Sequence, residues 1–217
     1  MKMSQSRLFI AITALCFSFS VAAQPTEPYQ LLENVANKTF NTIKNDQVKI
    51  QQDPDTLRVI INQELMPHVY YKFSALKVLS KNLRSVPKDR VDEYIDVFRE
   101  YLVTSLAVAL SYYTDQEVVF EPARDVGSDK DISIKALIKD PGAPDIHLAF
   151  KLRIDSDVNE WKVYDILAEG ISLLSSKESE FAPILRTDGI QAVIDNMHSS
   201  NNTPIKLATS DTASKSK

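Results

Sequence analysis

Ile146-His147-Leu148-Ala149-Phe150-Lys151-Leu152-Arg153-Ile154 alternates hydrocarbon with polar or small side chains over nine consecutive positions. Neighbouring side chains on a strand point to opposite faces. Ile146, Leu148, Phe150, Leu152 and Ile154 therefore share one apolar face, and His147, Lys151 and Arg153 lie on the other. One greasy face and one wet face describe an antiparallel sheet covered by helices on one side, with His147 a solvated histidine. Ile132, Ile134, Ala136 and Ile138 repeat the pattern in the preceding segment. Val118–Glu121 and Glu160–Ala168 complete four strands. Short turn clusters separate them, at Asp125-Val126-Gly127-Ser128, Asp140-Pro141-Gly142-Ala143-Pro144 and Asp155-Ser156-Asp157. The expectation is a four-stranded antiparallel meander.

Upstream of the sheet the apolar period becomes helical. Tyr29, Leu32, Ala36, Phe40 and Ile43 form one stripe, and Leu57, Ile60, Ile61 and Leu65 a second. Asp53 and Pro54 between them read as an N-cap and first-turn proline. Pro67 restarts the chain, and His68 to Leu83 continues as helix. Ser85-Val86-Pro87 opens the longest one, whose stripe runs from Val91 through Tyr94, Phe98, Leu102 and Leu106 to Tyr113. Between Glu100 and Asp115 that segment carries no charged residue, so its second half is apolar or small nearly all round and must be surrounded by apolar material. Ser105, Ala107 and Ala109 there are small; they either permit close helix packing or leave room for an apolar ligand. After the sheet, Ser175–Arg186 and Ile190–Met197 are helical, the second capped by Thr187-Asp188. The whole is an α+β domain, a helical layer packed on the sheet.

Composition limits the chemistry. The chain has 217 residues, a net charge of −4, four widely spaced glycines, three scattered histidines and one cysteine, Cys16. Phosphate-binding loops need clustered glycines, and zinc helices need histidines four apart; neither is present. Lys2 and Arg7, the apolar run Leu8 to Val21 and the small residues Val21-Ala22-Ala23 read as a signal peptide cleaved after Ala23. The run is shorter than the roughly 20 residues that span a bilayer. Cleavage removes two cations and no acid, taking the charge to −6, and removes the only thiol. The expected product is a periplasmic domain at residues 24–198, held by its core alone, with an acidic excess that disfavours nucleic acid. The Ser-, Thr-, Asn- and Lys-rich stretch 199–217 reads as a disordered polar tail.

Local catalytic signatures are absent, but acids gathered by the fold leave no such signature. Asp165 and Glu169, bracketing the end of the last strand, are the acids not explained by caps or turns. Two readings of them stay open. One is a structural acid paired with Arg99 or Arg153; the other is the acid of an isomerase or hydrolase working in a cone-shaped apolar cup.

Further strings sharpen the picture. Asn34-Val35-Ala36-Asn37-Lys38-Thr39-Phe40, Leu57 through Pro67, and Val97-Phe98-Arg99-Glu100-Tyr101-Leu102 occur in order. Trp161-Lys162-Val163-Tyr164-Asp165-Ile166, Ala168-Glu169-Gly170-Ile171-Ser172 and Leu185-Arg186-Thr187-Asp188-Gly189-Ile190 follow. In this order and behind a leader, the chain resembles the MlaC family of periplasmic phospholipid-binding proteins over roughly residues 28–198. The resemblance implies that helices and a strongly curved four-stranded antiparallel sheet enclose a deep apolar pocket for the acyl chains of a glycerophospholipid. It further implies lipid shuttling that maintains outer-membrane lipid asymmetry, in the outer-to-inner direction. The partners it implies are an outer-membrane lipoprotein–porin complex and an inner-membrane ABC transporter with an MCE-domain ring. A monomer with no metal and no cofactor other than its cargo is expected. Periodicity then nominates the lining: Phe73, Leu76, Leu79, Phe98, Leu102, Leu106 and Leu110 from helices, Ile134, Ile138, Leu148 and Phe150 from strands. A periplasmic chaperone or carrier for lipoproteins is a further alternative, distinguished by bound polypeptide in place of lipid.

Overall fold

A computed structural model describes residues 27–139 and 144–207. The leader with Cys16 and Ala23, the Asp140-Pro141-Gly142-Ala143 part of one turn, and residues 208–217 lie outside the described residues.

Helix α1 spans Pro28–Asn45, with proline in the first turn, where its missing N–H costs nothing. It is followed by the short α2, Gln47–Gln52, and by α3, Thr56–Glu64. Asp53 does not cap α3 with its side chain. Its carboxylate instead accepts the Asp55 N–H at 3.1 Å and its carbonyl the Thr56 N–H at 3.1 Å, so Pro54 and Asp55 form a turn and α3 starts later. The helix expected from His68 to Leu83 is also interrupted. A 3₁₀ turn at Met66–His68 runs into extended Val69, which bridges Val163, and the Tyr70 N–H donates to the Val163 carbonyl at 2.8 Å. Pairing with a free strand edge outcompetes helix there. Helix α4, Tyr71–Leu79, follows, then a 3₁₀ segment at Ser80–Ser85 and the long α5, Lys88–Leu110.

The sheet has strands β1 (Glu117–Phe120), β2 (Asp131–Lys139), β3 (Ile146–Asp155), β4 (Glu160–Ala168) and β5 (Ile171–Ser172), antiparallel in sequence order. Four strands were expected. The fifth arises because Glu169 and Gly170 both take positive φ, 49° and 78°, forming a two-residue hairpin beyond the fourth strand. Register slips once: Lys151 faces Asp165 but Leu152 faces Val163, leaving Tyr164 as a bulged residue that bends β4. Helix α6, Leu173–Thr187, is N-capped by the Ser172 hydroxyl, which accepts the Ser175 N–H at 3.0 Å. Helix α7 covers Gly189–Asn201; Asp188 makes no side-chain cap there, its carboxylate accepting from the Thr187 hydroxyl at 2.8 Å.

Three apolar clusters hold these elements. One joins α4, the first half of α5, α6 and α7 around Tyr94, Phe98, Phe181 and Met197. A second joins α1, α3 and the uncharged half of α5 around Ile43, Leu57, Ile61 and Ala107. The third seats Tyr29 and Leu32 of α1 on Ile132, Ile134, Leu152 and Trp161 of the sheet.

The polar stretch after Ser199 does not end the fold. Helix α7 continues to Asn201, and Ile205 is 4% exposed within the second cluster. Arg58 pins this segment, donating to the Thr203 carbonyl at 2.7 Å and to Asp55 at 2.8 Å, and also reaching the Thr104 hydroxyl. Ile205→Ala is expected to cost about 2–4 kcal/mol, as buried aliphatic truncations do, read from the urea midpoint at unchanged m-value.

Candidate functional site

Antiparallel pairing places partners on the same face, so the register defines the apolar side of the sheet row by row. Val118, Ile138 and Ile146 form the outermost row. Phe120, Ala136, Leu148 and Ala168 form the next, and Ile134, Phe150 and Ile166 the third. Burial deepens along β3. Ile146 is 43% exposed, Leu148 and Phe150 are half-buried, and Leu152 is fully buried. At the deep end Tyr29, Leu32 and Trp161 close the face, and the Tyr29 hydroxyl accepts from Arg124 at 3.0 Å. At the shallow end Val118, Ile138, Leu148, Ile166 and Ala168 are half-buried and belong to none of the three clusters.

On the helical side the half-buried residues pack against the second cluster. Leu102, Leu106 and Leu110 on α5 are half-buried, as are Phe40 and Tyr113, whose rings lie 4.5 Å apart. Helix α1 connects the two sides, its first turns on the sheet and its later turns, at Phe40 and Ile43, against α3 and α5. A cavity of about 580 Å³ runs along β1 to β4. Most of its lining belongs to the opposite face of the sheet, Val119, Glu121, Lys135, Leu137, His147, Ala149 and Leu167, with Phe120, Ala136 and Leu148 from the apolar one. That size falls within the usual range for small-molecule sites.

The eleven nominated residues divide accordingly. Leu102, Leu106, Leu110, Ile138, Leu148 and Phe150 are half-buried on these two surfaces. Leu79, Phe98 and Ile134 are sealed in cores. Phe73 lies elsewhere: its ring packs edge-on to Tyr164 and under the Arg153 guanidinium at 4.2 Å, on the face of the sheet opposite Phe150. Leu76 shares α4 with it, half-buried and outside the three clusters. Phe120 and Ile166 were not nominated. Alternation in β1 and β4 carries the signal, but the Tyr164 bulge breaks the period in β4.

The opposite face holds the titratable groups. Asp165, buried, spends both carboxylate oxygens on the start of α6, accepting from the Ser172 hydroxyl at 2.7 Å and the Leu174 N–H at 3.2 Å. Neither Arg99 nor Arg153 pairs with it; their guanidinium groups sit over the rings of Tyr71 and Phe73. Glu169 is exposed on the hairpin, where its carboxylate accepts the His147 N–H at 2.6 Å and lies 3.5 Å from Nδ1 of the solvated His147 ring. Tyr164 donates to Asp131 at 3.0 Å; burial, then that bond, pushes its phenol up to about 12. Among the described residues no cluster of His, Cys, Asp or Glu could hold a metal, and no helix is long and apolar enough to cross a membrane.

The fold defines a class: an α+β domain in which helices pack on an antiparallel sheet whose apolar face stays half-exposed in its outer rows. Residues 33–199 match the family model described as MlaC protein. The chain is 32% identical over 199 residues to the intermembrane phospholipid transport system binding protein MlaC of Haemophilus influenzae, covering 91% of this chain and 92% of that one. Its fold is similar to that of a phospholipid-binding protein from Ralstonia solanacearum solved in complex with a phospholipid. The TM-score is 0.70 at 20% identity, over 79% of this chain and 95% of that one. The chain belongs to the MlaC family.

Asp155 anchors the entry to α4. Burial alone would raise its carboxyl. The Lys162 ammonium at 3.1 Å, the Asp157 N–H and the Tyr70 hydroxyl outweigh that and hold it below the usual carboxylate range. A depressed folded value stabilises above the unfolded value and is lost as pH falls through the folded one. Asp155→Asn is therefore expected to cost about 2 kcal/mol at pH 7. The gap to wild type should close as pH drops below about 4, followed by chemical denaturation across pH.

Proposed function

We propose that this protein is a phospholipid carrier that holds a glycerophospholipid by its acyl chains in the apolar interior, with the head group left at the mouth. The observation that carries the reading is the unsealed apolar face: Ile138, Leu148 and Phe150 on strands and Leu102, Leu106 and Leu110 on α5 stay half-open. A domain without cargo gains by closing such surface, at about 25 cal/mol for each Å². Two acyl chains carry about 30 methylenes, so up to about 24 kcal/mol opposes their passage through water. A carrier removes most of that barrier by offering equivalent surroundings and needs no nucleophile, metal or cofactor. Asp165 and Glu169, committed to the α6 start and to the β3–β4 end, suit scaffolding in such a molecule.

The family relationship supports the setting. The leader at residues 1–23 directs export to the periplasm with cleavage after Ala23, and the domain works there as a monomer. It exchanges lipid between an outer-membrane lipoprotein–porin complex and an inner-membrane ABC transporter with an MCE-domain ring, in the outer-to-inner direction, preserving outer-membrane asymmetry.

Native mass spectrometry of the purified protein tests the cargo. Bound mass equal to one or more phospholipids is expected, disappearing on organic extraction and returning on incubation with phospholipid vesicles. Bare protein that takes nothing up from vesicles overturns the reading, and bound polypeptide replaces it with a chaperone.

A further inference from the structure

The second row of the apolar face has a fifth member. Ala168 pairs with Leu148 of β3 on one side and with Ile171 of β5 on the other. Ile171 therefore shares a face with Phe120, Ala136, Leu148 and Ala168. It ends that row at the edge of the sheet, 65% exposed. The ladder alone holds it weakly. Strand β5 has two residues, and a slip of one residue would carry Ile171 to the opposite face. Burial does not select the phase either, because an isoleucine so exposed gains little from it.

The selection comes from the other face. Ser172, the next residue, pairs with Leu167 there, and its hydroxyl donates to the buried Asp165 at 2.7 Å. The second oxygen of that carboxylate accepts the Leu174 N–H at 3.2 Å, and the Ser172 oxygen accepts the Ser175 N–H at 3.0 Å. Hydrogen bonds to a buried carboxylate are strong and costly to leave unmade. With Ser172 held on one side, alternation puts Ile171 on the other.

We propose that Asp165 and Ser172 are positioning residues: their hydrogen bond fixes the phase of β5 and so holds Ile171 out on the apolar face, as the first hydrocarbon an incoming acyl chain meets at that edge. This rests on the reading of the protein as a phospholipid carrier. It gives Asp165 a part in lipid loading as well as in fastening α6.

The test follows lipid uptake by the full chain from phosphatidylcholine vesicles of graded concentration. Native mass spectrometry reads the loaded fraction, and urea denaturation reads stability. Ile171→Ser alters an exposed side chain and should weaken loading about tenfold at wild-type stability. Ser172→Ala should weaken it to a similar degree, while Ser172→Thr, which keeps the hydroxyl, loads as wild type does. Phe181→Leu, in the core shared by α4, α5, α6 and α7, lowers stability without touching β5 and should load normally. The double variant Ile171→Ser, Ser172→Ala should load no worse than Ile171→Ser alone, since a residue that acts through Ile171 then has nothing further to remove. Losses that multiply in the double variant overturn the proposal and leave the carrier reading standing. So does Ser172→Ala loading no worse than Phe181→Leu, or Ile171→Ser loading as wild type does. Wild type that takes up no lipid removes the carrier reading itself. If Ser172→Ala fails to fold, Asp165→Asn takes its place in the same cycle and is judged by the same outcomes.

Discussion

Helix α1 is the contact on which the interior depends. Its first turns bury Tyr29 and Leu32 in the sheet, and its later turns bury Ile43 against α3 and α5. Eighteen residues make a rod about 27 Å long that does not shorten. Bound at both ends, it fixes how far the sheet stands from the α3–α5 pair.

The two faces of the sheet divide the labour. The inner face is nearly pure hydrocarbon, and the outer one carries Asp155, Lys162, Asp165, Arg153 and Tyr164. Several contacts there fasten helices: Asp165 holds the start of α6, the Ser74 hydroxyl of α4 donates to the Tyr164 carbonyl at 2.7 Å, and Arg153 sits over Phe73 of α4. The Tyr164 bulge turns one side chain outward into the α4–α6 core and bends the strand around the interior. One extra residue thus supplies both curvature and attachment.

Much of this was legible beforehand, for identifiable reasons. Strict alternation in Ile146–Ile154 gave β3 its face and its span to within a residue, because period two has no other good interpretation. The charge-free stretch after Glu100 marked the half of α5 that meets α1 and α3. Errors arose where long-range contacts overrode local pattern. Val69 leaves the helical path to bridge Val163, ninety-odd positions away in no detectable local pattern. Phe73 has the spacing of an inward residue, yet Arg153 and Tyr164 hold it on the far side of the sheet. Ile205 is a single hydrocarbon side chain in a polar stretch, too sparse for any periodicity. Phe120 and Ile166 needed the register, and register depends on a bulge that composition does not announce.

Burial of Ile205 also constrains when the domain can become complete. Its N–H reaches the carboxylate of Asp55 at 3.4 Å, across 150 positions of chain, and its side chain closes the cluster containing Leu57 and Ile61. A polypeptide that emerges N-terminus first presents α3 long before the piece that covers it. That cluster is thereby completed only once the segment around Ile205 has been released to pack on it.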